Sequence, residues 1–136
     1  MRTINFTLDD LRTILHLLGV TVWVGGQILM LGLLPVLRGI GGDAPAKAAA
    51  GFGRVAWPAF ALIFITGMWN VFAVDMADVS FGWSMTFGFK FLLVLISGAA
   101  AFLHQRTNKP AMRGATGAIG FVTALAALVL GALMSH

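Results

Sequence analysis

Four long apolar stretches separated by three short polar ones take up nearly the whole chain. The first, Leu11 to Arg38, reads LRTILHLLGVTVWVGGQILMLGLLPVLR and carries one histidine, His16, in its first third. A run of about 20 apolar residues is what a helix needs to cross the hydrocarbon core. The pattern predicts spans over roughly 8–37, 52–74, 85–105 and 112–134. Thr7 with Asp10 reads as a capping pair before the first span, and Pro110 as a starter of the fourth. The stretch 38–51, rich in Gly and Ala, reads as a linker, and Pro58 falls in the first turns of the second span. Connections this short force antiparallel neighbours, so the expected fold is all-α, an up-down bundle of four transmembrane helices in one domain, 1–136.

Helical spacing selects the faces that should look inward. In the first span, His16, Val20, Trp23, Gln27 and Met30 form one stripe that holds its polar groups. In the third, Lys90, Val94, Ser97, Ala101 and His104 do the same. The second offers Arg54, Ala61, Ile65, Met68 and Phe72. The fourth offers Gly117, Gly120, Ala124, Ala127 and Gly131, small residues suited to close backbone contact. Thr66, Asn70 and Ser97 read as hydrogen-bonding groups between helices.

Composition fixes the class. The chain is 59% hydrophobic and 10% charged, and its mean hydropathy is +0.92, far from soluble values. The net charge of +4 is therefore no nucleic-acid signal, because Arg38, Lys47, Arg54, Arg106, Lys109 and Arg113 collect in two loops. The positive-inside rule then sets both termini and the 75–84 connection of this polytopic protein outside. The delayed, overlong first stretch lacks a small-residue cleavage site and reads as a retained helix, not a signal peptide. The absence of Cys excludes thiolate ligands and disulfides, and the absence of Tyr removes a common proton-relay group.

The candidate chemistry lies in the few polar groups of the spans. An imidazole in hydrocarbon is expensive unless it faces protein, a ligand or water. His16 can bond a neighbouring helix, ligate a metal or haem, or carry protons. Lys90 lies at a similar expected depth and either snorkels outward or joins His16. His104 falls about 21 Å deeper than Lys90 at 1.5 Å per residue, so His16 and His104 cannot ligate one haem from both sides. Met68, Met76, Met85, Met134 and His136 map to the outer half, and thioether with imidazole suits copper. Arg54 and His104 suit anionic headgroups at the inner surface.

Several short motifs resemble known families. His16 with Trp23-Val-Gly-Gly26 and Leu34-Pro35, then Phe52-Gly-Arg54, Thr66-Gly67 and Gly88-Phe-Lys90-Phe-Leu-Leu, are similar to CopD-type copper resistance membrane domains. The same frame resembles HemJ-type protoporphyrinogen oxidases through His16, Pro58-Ala59, Gly67-Met-Trp69 and Lys90-Phe-Leu-Leu-Val-Leu95. The first resemblance implies copper uptake or tolerance across a bacterial plasma (inner) membrane; the second implies a b-type haem on His16 and a functional lysine at Lys90. The leading expectation is copper handling with His16, Met68 and Met134 as ligands. The alternative is a haem b redox protein whose cofactor is bound by His16, Lys90, Trp23 and Gln27. A third reading has no ligand, only an accessory subunit of a larger membrane complex. The partners expected are membrane lipids and, through Gly/Ala faces, a second copy or a larger complex, without nucleic acid.

Overall fold

A computed structural model describes residues 4–75 and 77–134. The chain is all-α: α1 (Leu8–Val20), a π-helical turn (Thr21–Gly25), α2 (Gly26–Ile40), α3 (Ala44–Ala73), α4 (Phe81–Arg106) and α5 (Pro110–Met134). Because α1, the π turn and α2 run on without a break, four helices are long and apolar enough to cross a membrane. Only 17–22% of each apolar window is buried within the protein. Side chains such as Leu18, Leu29, Phe64, Leu92, Leu103 and Val129 stand exposed along the helices. Apolar surface on this scale needs lipid as its cover, and the protein is a multi-pass membrane protein.

The chain divides into two compact units, up to Val74 and from Asp75. In the first, a capping box between Thr7 and Asp10 starts α1 as expected. Contacts of His16 with Thr66 and of Gly26 with Phe52 show that α3 runs antiparallel to the α1–α2 span. The turn at Gly41 and Gly42 uses positive φ, +83° and +59°, which glycine adopts without strain.

Two expectations for α3 need correction. The stretch 44–51 is not a linker: Pro45 stands at the helix start and the alanines continue it, so α3 begins at Ala44. Pro58 is therefore in the helix interior, where it withholds an N–H from the Arg54 carbonyl. The inward stripe also differs from the one expected. Ala61, Ile65 and Phe72 are exposed, as is Arg54, whereas Ala56, Ala59, Ile63 and Thr66 form the buried face. Starting the wheel from a loop-end arginine, which water or headgroups can satisfy, rotates the whole assignment.

The second unit is an antiparallel hairpin of α4 and α5 and follows the spacing closely. Ser97 Oγ donates to the Gly120 carbonyl at 2.8 Å. Gly120, Ala124 and Ala127 are buried along α5. His104 Nδ1 donates to the Arg113 carbonyl at 2.7 Å, and its ring lies against Gly117. The small residues are what let the two backbones approach.

Candidate functional site

Within the first unit the polar groups gather at one level. His16, on α1, meets Thr66 of α3, with Nδ1 and Oγ1 2.8 Å apart. Thr66 is 2% exposed and its hydroxyl lies 2.7 Å from the Leu62 carbonyl and 3.1 Å from that of Ile63. A hydroxyl has one proton, and carbonyls only accept. With its proton turned to a backbone carbonyl, the Thr66 hydroxyl has its oxygen left to accept from Nδ1–H of His16. Mid-helix threonines commonly bond back to the preceding turn; here that habit leaves the oxygen's acceptor side for the imidazole.

Gly19, one turn on, brings the backbones together below this pair. A methyl group there would stand 2.8 Å from Ile63 Cγ1 and 2.9 Å from the Ala59 carbonyl oxygen. Trp23 comes next along the span, 5% exposed, with its ring centroid 5.4 Å from Trp57 and 4.7 Å from Phe60. Trp23 thus packs in an aromatic cluster between the π turn and α3. Gln27 Nε2 donates to the Trp23 carbonyl at 2.9 Å, giving that turn a side-chain donor. Beyond the π turn Gln27 and Met30 are half-buried while Ile28, Leu29 and Leu31 are exposed, so the less exposed side of the span carries on from His16 and Trp23 as the spacing expects.

On the other side of His16, one turn toward the N-terminus, lies Arg12. Its side chain is 15% exposed and pairs with Asp9 at 3.1 Å. Its guanidinium carbon stands 6.0 Å from the centroid of Trp69 on α3. Composition gives no sign of this residue's importance, although its four-residue spacing from His16 could have done so.

Met68 stands two residues from Thr66, about 200° round α3 at 100° per residue, away from the stripe that meets α1. Lys90 and Met134 belong to the second unit. There Lys90 lies across Gly131, whose added methyl would be 3.0 Å from Nζ. The ring of Trp83 stacks on Phe87 with centroids 5.6 Å apart, and Met134 is half-buried at the end of α5. Met76 and His136 lie outside the described residues.

The chain matches no family model, no curated protein and no solved structure. What the residues themselves could hold is therefore read from their donor chemistry. Among the described residues, no three of His, Cys, Asp and Glu come together as a metal-holding group. Copper(I) prefers two or more soft ligands, and Met68, the thioether expected to serve it in the first unit, stands on another face of α3. A single imidazole whose Nδ1 is anchored on a hydroxyl could hold haem iron through its other nitrogen. A cation four residues away suits an anionic cofactor better than a bare metal cation.

Proposed function

We propose that this chain is a haem protein of a bacterial plasma membrane, with His16 as its ligand to a b-type haem. The observation that supports it most is the contact of His16 Nδ1 with the buried hydroxyl of Thr66. A ligating histidine gives its other ring N–H to a fixed acceptor, and Thr66 Oγ1 is that acceptor at 2.8 Å. When bound, the haem supplies one-electron chemistry. The chain's own part is narrower. Thr66 fixes the imidazole's tautomer and orientation, Gly19 and Ile63 close the helix pair beneath it, and Arg12 adds positive charge one turn away.

Copper handling is the second reading, favoured by the resemblance of His16, Trp23-Val-Gly-Gly26 and Leu34-Pro35 to CopD-type domains. It requires Met68 or Met134 to join His16, and it puts a metal cation near Arg12. One titration separates the two. Purified protein and His16→Ala are titrated with haemin, then with Cu(I). The haem reading expects a Soret band at one haemin per chain, binding weakened by more than about tenfold in His16→Ala, and partial recovery with added imidazole. Tight Cu(I) binding that disappears in His16→Ala, with no haemin binding, would transfer the assignment to copper.

A further inference from the structure

The environment of Arg12 is unusual for a residue near the end of a membrane helix. A lone arginine there ordinarily extends toward water or headgroups. Arg12 instead keeps its side chain 15% exposed, while its partner Asp9 is 78% exposed. The guanidinium lies 6.0 Å from Trp69, three residues along α3 from Thr66. An aromatic face restrains a guanidinium without using its in-plane N–H donors. Those donors form a fork that matches a carboxylate, and the carboxylate on one of them is a solvent-facing side chain three residues away. With the Asp9 end of the pair open to solvent, the pair is weak, so a better-placed carboxylate can displace Asp9.

We propose that Arg12 is a carboxylate-binding residue at the outer end of the first unit, held in place by Trp69 and occupied by Asp9 until a carboxylate-bearing ligand arrives. The proposal rests on the haem reading: the ligand class is a tetrapyrrole carrying free carboxylates, with its metal on His16, one turn along α1. Arg12 would then set which tetrapyrroles bind, since esterified or decarboxylated ones offer it nothing. Asp9 acts as an internal competitor that weakens binding and keeps the guanidinium paired beforehand.

The test uses the full-length protein in detergent and two probes, haemin and haemin dimethyl ester. For haemin, Arg12→Gln weakens binding about tenfold and Asp9→Asn strengthens it a few-fold. For the ester, both variants bind as the unmodified protein does. Equal effects of Arg12→Gln on both probes would mean that it acts through packing, and no effect on either would mean that Arg12 takes no part; each result overturns this proposal and leaves the haem reading standing. Failure of the unmodified protein to bind either probe overturns both. Should Arg12→Gln fail to fold, the Asp9→Asn comparison decides, because that variant retains Arg12 and Trp69.

Discussion

At the scale of single residues, the site depends on the hydroxyl of Thr66. Its oxygen accepts from His16 Nδ1 while its proton goes to the helix backbone, so one group fixes the imidazole and satisfies itself. Thr66→Val keeps the shape, removes the acceptor and deprives the His16 N–H of it. We expect haemin affinity to fall about 10- to 100-fold, as for other groups that orient a metal ligand, while Thr66→Ser stays near the unmodified value. Titration of the two variants checks this, and equal losses in both would mean that the methyl matters and the hydroxyl does not. His16 was legible from sequence because an imidazole inside an apolar run has few cheap environments. Thr66 was legible only as a hydrogen-bonding group, since threonine is common in membrane helices and nothing in its neighbours marks its partner. Arg12 went unread because an arginine at a span end is ordinarily explained by the interface.

At the scale of elements, glycine placement decides how closely α1 and α3 approach. Gly19→Ala would press a methyl group against the Ala59 carbonyl and Ile63, and backbone cannot give way as a flexible side chain can. The expected loss of stability is about 1–3 kcal/mol, the usual cost of overpacking, read from unfolding in mixed micelles. Gly32→Ala is the control, because nothing lies within 4 Å of a methyl there, and it should leave stability undiminished or raise it slightly. The stripe on α4 and the small residues on α5 were legible because polar groups recur there at regular helical spacing and the structure keeps that spacing. The stripe of the first span was legible in the same way, but its π turn at Thr21–Gly25 was not, because it is a change in hydrogen-bond pattern and not in composition. The early start of α3 was missed because glycines at 41, 42 and 51 suggested a loop, whereas only the first two serve the turn.

At the scale of the whole molecule, four membrane-capable helices were plain from hydropathy alone, and charge gave the proposed orientation. Arg38, Lys47 and Arg54 stand at one end of the first hairpin, and Arg106, Lys109 and Arg113 at the α4–α5 turn. By the positive-inside rule we propose that both basic stretches face the cytoplasm. The chain has no cysteine, so single-cysteine variants report cleanly. Ala49→Cys should resist an impermeant maleimide added to intact cells, and Ala77→Cys should react; the reverse pattern would invert the topology. The central claim, a haem held by His16, is tested most directly by the visible absorption spectrum of the protein as isolated from membranes. The account predicts a Soret band that co-purifies with the chain and shifts on reduction, and that is missing from His16→Ala isolated the same way. A colourless protein from haem-replete cells, or a band undiminished in His16→Ala, would contradict it.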